Sequence, residues 1–483
     1  MIQRNPAAAS GRRHDLAIIG GGIHGAQLAL AASQCGLKVL LLEAADFGSG
    51  ASGNSLRILH GGLRYLQTAD LPRFMESVAE RRWHAMAFPE LVEPLSCLMP
   101  LYAQGLKRRS VMRVALKVND FLSRHRNDAL EERLRLPDSG TLDVAETARL
   151  FPLVRQAGLE GSALWYDYFM RSSERILIET LRRACALGAD VLNYTRVVAV
   201  HANAGRVVGL VAEDQLSGER FEFLAERVCN CTGSSARTLT DTIDREFPEL
   251  FMPSLAFNVL FECEPLASSA LGVAAPEAGA PVYFLCPAPS GIWAGTEHVA
   301  RPEGCADSVV RESEVAEFMQ RINRAIPSLN LTLNNARHVC SGQLPVKKAQ
   351  SVELTGREVI IDHGHRGGLK GLYSATGIKF TTARKVAGKT LECILGRNAS
   401  PSAPAQVAAR APLSSLSRQL TDGALVEQMP QEAAMALVRA AATDEAVTSA
   451  DDFCLRRTNW MFTARDFGRL RRLVAAALVT EAA

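Results

Sequence analysis

Asp15-Leu-Ala-Ile-Ile-Gly20-Gly-Gly22-Ile23-His24-Gly25, continuing into Ala26-Gln-Leu-Ala-Leu-Ala-Ala-Ser33, decides how this chain folds. The short apolar run reads as a strand buried on both faces. The glycines make a tight turn, and the alanine- and leucine-rich segment after them reads as a helix that Gly36 ends. Lys38-Val-Leu-Leu-Leu-Glu43 is a second buried strand, and its acid stands 18 residues after Gly25. A GxGxxG motif alone carries little information. Between a strand and a helix, with such an acid behind it, it describes a dinucleotide site. Gly20 permits the turn, Gly22 lets a pyrophosphate approach the backbone, and Gly25 lets helix and strand pack closely. Amide donors at the helix N-terminus, where Ile23 and His24 stand, suit the pyrophosphate, and Glu43 suits ribose hydroxyls.

Working outward, Ala44-Ala-Asp-Phe-Gly-Ser-Gly-Ala-Ser52-Gly-Asn-Ser55 is a run of small residues directly after the ribose acid. Such a run lets the backbone follow an extended cofactor closely, with the Ser52 and Ser55 hydroxyls free to meet phosphate oxygens. Then comes Leu56-Arg-Ile-Leu-His60-Gly61-Gly62-Leu-Arg64-Tyr65-Leu66. The HGGLRYL run and the GGGIxG fingerprint together resemble the FAD-dependent glycerol-3-phosphate dehydrogenases. Those belong to a larger superfamily of flavoproteins that oxidise amines and alcohols.

Further segments resemble that family in its own order. They are Ala163-Leu-Trp-Tyr-Asp-Tyr-Phe-Met170 with Ser173-Glu-Arg-Ile-Leu177, the strand around Val197, Val228-Cys-Asn-Cys-Thr232-Gly233, Gly295-Thr-Glu297, and Gly371 to Arg384. Ala450-Asp-Asp-Phe-Cys-Leu-Arg-Arg-Thr458 resembles a motif near the family's C-terminus, so the likeness covers about residues 14 to 475. It implies an α/β protein with a Rossmann-like FAD-binding domain built from three separated segments, 14–80, 160–250 and 340–396. An α+β substrate domain with an antiparallel sheet is expected from 81–159 and 251–339. The Ser-, Pro- and Ala-rich stretch 397–426 reads as a linker, and 427–483 as a short helical tail where the family carries a fuller domain.

For the site, the resemblance implies FAD contacts from the fingerprint residues, Glu43, Ser52, Ser55, His60, Gly61, Gly62, Val197, Thr232, Gly233, Gly377, Lys379, Phe380 and Thr381. Arg64, Tyr65 and Lys379 match family positions around an anionic substrate, and an arginine there can hold an anion bidentately. Where the family has Gly-Val-Arg-Pro, this chain has Gly342-Gln-Leu344-Pro345, and a leucine cannot bind phosphate. Lys347 and Lys348 stand just downstream as possible compensation. Leu255-Ala-Phe-Asn258 replaces a Lys-Gly-Ser-His element, which removes a candidate proton acceptor. His298 and His60 are the remaining candidates for the base that flavin chemistry needs.

The expected activity is therefore FAD-dependent oxidation, by hydride transfer, of the C–OH of a small anionic polyol or hydroxy acid. Quinone or O2 remains open as electron acceptor, and the oligomeric state is open. Two other readings stand beside it: an amine or amino-acid oxidase, and a flavoprotein that has lost catalysis and serves a structural or regulatory role.

Composition narrows the rest. In 483 residues, 54 Lys and Arg face 51 Asp and Glu, a net charge of +3 that gives no support to a nucleic-acid partner. Eleven cysteines include no CxxC pair, so neither a disulfide framework nor a paired-ligand zinc site fits, and no metal is expected. Reduced, mostly buried thiols suggest a cytoplasmic setting. Nothing resembles a secretion signal or a span of roughly 20 apolar residues. From Leu106 to Leu122, apolar residues at 111, 114, 115, 118, 121 and 122 alternate with Lys or Arg at 107, 108, 109, 113 and 117. That basic amphipathic helix either covers the substrate domain or lies peripherally on the anionic inner face of a membrane.

Overall fold

The computed structural model describes residues 1–102, 108–245, 247–277, 279–289, 291–302, 308–396, 413, 415–420 and 423–479. Its organising element is a six-stranded sheet in the order Val359–Asp362, Leu372–Thr376, Val228–Asn230, Leu16–Ile19, Val39–Leu42, Asp190–Leu192. All neighbours are parallel except the edge strand Val359–Asp362. The alternation of side chains along a strand explains why these strands are apolar throughout. Leu16, Ile18, Val39 and Leu41 enter a core with Leu28, Leu177, Leu181 and Leu391 from the helices Ile23–Gln34, Ser173–Ala186 and Ala383–Leu395. Ala17, Ile19, Leu40 and Leu42 point the other way, against Val207, Leu210 and Phe223. Those last residues belong to a four-stranded sheet formed by Arg13–His14, Arg220–Ala225, Arg206–Asp214 and Thr195–Asn203.

A nine-stranded, largely antiparallel sheet forms the second layer system. It runs Ala336–Pro345, Pro253–Phe261, Gly291–Ala300, Tyr283–Ala288, Ala270–Val273, Val92–Tyr102, Leu159–Met170, Ile58–Leu59, with Gly140–Leu142 also paired to Leu159–Met170. The helix Glu312–Ala325 covers one face through Val315, Phe318, Met319 and Ile322, and Phe318 meets Phe257, Phe261 and Tyr283 edge-on or tilted. Sequence order and sheet membership diverge here. Ile58–Leu59, Leu159–Met170 and most of Ala336–Pro345 were expected near or within the FAD-binding segments, yet they pair into this sheet.

The C-terminal residues make a compact unit. Helices Gln431–Glu445, Ala450–Arg456, Trp460–Thr463 and Phe467–Val479 bury Leu437, Val438, Phe453, Trp460, Leu470 and Val474 around their own core. Part of the stretch read as a linker is helical. Ser415–Leu420 and Gly423–Glu427 are helical, and Leu420 and Val426 pack into that core, while 397–412 lie outside the described residues.

Candidate active site

Gly20, Glu43, Thr232 and Gly377 follow the carboxyl ends of four neighbouring strands of the six-stranded sheet, the place where open α/β sheets bind ligands. The turn there is built for close approach. Gly20 has φ +112, and a Cβ on it would stand 2.6 Å from the Cys231 carbonyl oxygen. A Cβ on Gly25 would stand 2.0 Å from the Gly20 carbonyl oxygen, so helix and strand meet at a distance only glycine allows. Glu43 accepts from the amides of Gly21 at 2.6 Å and Ala45 at 2.9 Å. Burial pushes its carboxyl up while those amides oppose the shift.

Ser52 Oγ accepts from the Ile23 amide at 2.9 Å, which brings the small-residue loop over the helix N-terminus. Ser55 Oγ instead meets Ser173 Oγ at 3.2 Å, on the helix beside it. The Thr195 amide donates to the Glu43 carbonyl at 2.7 Å, so Val197 lies two residues beyond that junction. Thr232 Oγ1 donates to Asn230 Oδ1 at 2.7 Å, and Gly233 takes φ +58. His24 is half-buried, its Nε2 buried without a hydrogen-bond partner, and a Cβ on Gly377 would stand 2.0 Å from it. Burial pulls its pKa down to about 4, against the charge of Glu358, so the ring is neutral at pH 7. The glycine cradle, the helix N-terminus, the ribose acid and the unpartnered His24 nitrogen fit a dinucleotide such as FAD.

Two buried ion pairs hold the loop that follows Glu43. Asp46 accepts from both terminal nitrogens of Arg457 at 2.8 Å and from Arg456 at 2.7 Å; Asp46 and Arg457 are fully buried. Arg57 meets both Glu174 oxygens at 2.9 and 3.0 Å, bonds Asn459, and lies 3.7 Å over the Phe462 ring. The C-terminal helices thus brace the cofactor loop. The likeness of Arg456-Arg457-Thr458 to a family motif pointed at these residues, but not at what they touch.

The substrate side begins at the end of Ile58–Leu59. The Gly61 amide donates to buried Asp167 Oδ1 at 2.6 Å, and Arg81 Nη1 reaches the same oxygen at 2.6 Å. A Cβ on Gly61 would strike Arg81 at 2.2 Å, which explains the glycine after His60. Trp165 Nε1 donates to Asp167 Oδ2 at 3.1 Å, and His60 Nδ1 stands 3.7 Å from that oxygen. Burial opposes ionisation of Asp167, yet His60, Arg81 and the Gly61 amide outweigh it and hold its carboxyl below the usual range. His60 keeps 43% of its side chain exposed and meets the Phe284 ring edge-on at 5.8 Å.

Around this dyad, Arg64 and Tyr65 occupy the short helix Leu63–Leu66. Lys379 Nζ is hydrogen-bonded to the Tyr65 hydroxyl and lies 4.3 Å over its ring. Arg64 is exposed and has no carboxylate within ion-pair distance among the described residues. His298 lies on Gly291–Ala300, with Nδ1 buried and unpartnered. Burial lowers its pKa, Glu297 opposes, and the positive charge of Arg64 lowers it further, which places Arg64 and His298 in one electrostatic neighbourhood. Phe380 lies 6.1 Å from the ring of His84, whose Nε2 sits 3.2 Å from the Thr381 carbonyl. Burial drops the pKa of His84 to about 3.

The altered positions have other partners. Leu344 pairs with Ser254 in the sheet, and Lys347 forms an ion pair with Glu353, so Lys347 does not replace a substrate arginine. Asn258 accepts from Thr296 Oγ1 at 2.8 Å and donates to the Asn54 carbonyl at 2.9 Å, tying the nine-stranded sheet to the cofactor loop. Sequence reading missed Asp167, Arg81, His84 and Asp46 as site residues. An acid inside the apolar strand Leu159–Met170 was the available signal for Asp167; the others carried none.

This architecture is that of a flavin-dependent oxidoreductase, and the family comparison says so. Residues 15–388 match the family described as FAD dependent oxidoreductase. A glycerol-3-phosphate dehydrogenase from Synechocystis sp. is 30% identical over 416 residues, covering 81% of this chain and 72% of the relative. An aerobic glycerol-3-phosphate dehydrogenase from Bacillus subtilis is 27% identical over 391 residues, covering 80% and 67%. The crystal structure of glycerol-3-phosphate dehydrogenase from Bacillus halodurans complexed with FAD superposes with a TM-score of 0.73 at 21% identity, covering 99% of this chain and 92% of that one. The chain belongs to the FAD-dependent oxidoreductases and, within them, to the glycerol-3-phosphate dehydrogenase family. FAD is its cofactor.

Proposed function

We propose that the enzyme oxidises the C–OH of a small anionic polyol of the glycerol 3-phosphate kind. The observation that carries this reading is the His60–Asp167 dyad just before the short helix that bears Arg64 and Tyr65, with Lys379 bonded to the Tyr65 hydroxyl. Bound FAD supplies the hydride acceptor. The chain's own residues supply the rest. Buried Asp167 faces His60 Nδ1, which leaves Nε2 turned to the cleft as acceptor of the hydroxyl proton. The anionic Asp167 stabilises the imidazolium that forms. Arg64 and the Lys379–Tyr65 pair hold the anionic group, and His298, kept neutral, is free to hydrogen-bond a substrate hydroxyl. His60 is preferred over His298 as base because only His60 has a buried carboxylate behind it. The FAD half is read as the six-stranded sheet with its helices, and the substrate half as the nine-stranded sheet.

The test is anaerobic flavin bleaching of the purified yellow protein with glycerol 3-phosphate, other phosphorylated polyols, hydroxy acids and amines. Bleaching by a phosphorylated polyol, slowed by at least 10²-fold in His60→Gln, is the expected outcome. Bleaching by amines alone would establish an amine oxidase, and no bleaching by any class a non-catalytic flavoprotein.

We infer also that the enzyme rests peripherally on an anionic membrane. The helix Arg109–Leu122 buries Met112 and Leu116 but leaves Val111, Val114, Val118 and Phe121 exposed at 39, 64, 44 and 68%. Exposed Arg113 and Lys117 flank that stripe. Apolar residues in water beside cations suit an interface with anionic headgroups. Among the described residues, no helix is long and apolar enough to cross a membrane. Co-sedimentation with phosphatidylglycerol vesicles should fall at least tenfold in Val114→Asp/Phe121→Asp; equal binding by both proteins would overturn the inference.

A further inference from the structure

From Ala44 to Ser55, every side chain other than Asp46, Phe47 and Asn54 is Ala, Ser or Gly. So small a set cannot hold a loop in one shape by its own packing, and glycines lose the most conformational freedom on being ordered. Asp46, Phe47 and Gly48 are the buried residues of this run, and they meet the fingerprint turn. A Cβ on Gly21 would stand 2.8 Å from the Phe47 ring, and the Gly48 amide donates to the Gly21 carbonyl at 3.1 Å. The turn therefore rests on Phe47.

What holds Asp46 and Phe47 comes from the other end of the chain. The Arg457 guanidinium lies 5.8 Å from the Phe47 ring centroid while it pairs with Asp46. Its Nε and Nη2 also donate to the Glu445 carbonyl, at 3.2 and 2.9 Å. Arg175, on the helix Ser173–Ala186, meets the two Glu445 carboxylate oxygens at 2.6 and 2.8 Å and the Arg457 carbonyl at 3.2 Å. Asn193 Nδ2 donates to Asp46 Oδ1 at 2.9 Å and to the Ala446 carbonyl at 2.8 Å. Asp46, Arg175, Glu445 and Arg457 are all buried. A buried ion pair adds little stability over an apolar pair of the same size, yet a bidentate one accepts a single geometry. This junction is better suited to fixing a position than to adding stability.

We propose that the C-terminal helical unit governs the retention of FAD. Arg457 is a positioning residue that, through Asp46 and Phe47, holds the fingerprint turn in its cofactor-binding shape before FAD arrives. A cradle ordered in advance binds its ligand without the entropic cost of ordering it. Coupling of this kind is reciprocal, so bound FAD in turn tightens the C-terminal helices. None of this depends on which substrate is oxidised.

Two measurements on the full chain test it, and neither needs a substrate. In the first, the holoenzyme is diluted and released FAD is read by its fluorescence, giving a dissociation constant for wild type, Arg457→Met, Arg457→Lys and Arg301→Met. Buried Arg301 pairs with Glu314 of the helix Glu312–Ala325, so its loss controls for a buried ion pair broken in the nine-stranded half. The FAD dissociation constant should rise at least about tenfold in Arg457→Met, the worth of one charge-assisted hydrogen bond. It should rise less in Arg457→Lys, which keeps the charge but not the planar fork, and stay within about threefold of wild type in Arg301→Met. No rise in Arg457→Met, or an equal rise in Arg301→Met, overturns the proposal. In the second, hydrogen exchange of the unaltered chain is followed with and without FAD. FAD should slow exchange of amides 431–456 at least about tenfold more than those of Glu312–Ala325. Equal slowing in both regions overturns the proposal, even where Arg457→Met does not fold.

Discussion

The two halves proposed for the active site would meet their ligands with different atoms. On the six-stranded sheet the recognising groups are backbone amides, a helix terminus and the space left by Gly20 and Gly25, all three set by strand–turn–helix geometry. On the substrate side they are side-chain tips: His60 and Arg64 after the strand Ile58–Leu59, His298 on Gly291–Ala300, and Lys379 beyond Leu372–Thr376. Backbone recognition tolerates few changes, because a Cβ at Gly25 has nowhere to go. Side-chain recognition changes with one substitution, and Leu344 and Asn258 are such changes on an otherwise intact sheet.

The severest way to break this contrast is Gly25→Val. Its Cβ would lie 2.0 Å from the Gly20 carbonyl, so bound flavin per chain should fall to near zero. Stoichiometric yellow protein would show that the turn can yield. Next, Asp167→Asn should lower kcat by roughly 10²–10⁴-fold with little change in FAD content, since it removes the charge that orients His60 and stabilises its protonated form. A kcat within about threefold of wild type would move the base elsewhere.

A change remote from the chemistry sharpens the comparison from the other side. Arg457→Met leaves Asp46 buried without its bidentate partner and should cost about 3–5 kcal/mol in urea unfolding of the holoenzyme. Asp46→Asn/Arg457→Met should recover part of that loss; equal losses would mean the pair is not coupled.

Smaller again is a pH effect at Asp452. Burial opposes its ionisation, but the Tyr194 hydroxyl, the Thr448 amide and the Ser449 hydroxyl bring its pKa from 3.8 down to about 2. A folded-state pKa below the unfolded one stabilises above pH 4, and that stability is lost as pH falls from about 4 through about 2. The charge on Asp452 is worth up to about 2 kcal/mol at pH 7. The stability gap between wild type and Asp452→Asn should therefore narrow below pH 4, and a gap constant from pH 7 to pH 3 would refute the assignment. The smallest effect is expected for Leu344→Arg. A cation restored to the cleft should lower KM for glycerol 3-phosphate by about tenfold, roughly one charge-assisted hydrogen bond. An unchanged KM would mean position 344 no longer faces the substrate.

How much of this was legible differs between the halves for the same reason. Leu16–Ile19, the glycines and Glu43 are local in sequence, and their spacing is the geometry, so strand, turn, helix and FAD could be read in order. The short helix bearing Arg64 and Tyr65 was legible through its resemblance to a family motif. His60 and Asp167 are 107 residues apart, and only the antiparallel pairing of Ile58–Leu59 with Leu159–Met170 brings them together. Lys379 and Tyr65 are 314 residues apart, and Asp46 and Arg457 are 411. The basic amphipathic helix shows the limit most directly. Its periodicity was plain, but the sequence could not say that Met112 and Leu116 face the protein while Val114 and Phe121 face water.

By itself, then, the sequence determined the cofactor and the class of chemistry, because a nucleotide cradle is made by consecutive residues whose backbone must take one path. Only the tertiary structure decided which histidine has a carboxylate behind it, which cations are already paired, and where the C-terminal helices brace the flavin loop. Those are contacts between residues hundreds of positions apart, and no local pattern of side chains encodes which of them the packing will bring within a few ångströms.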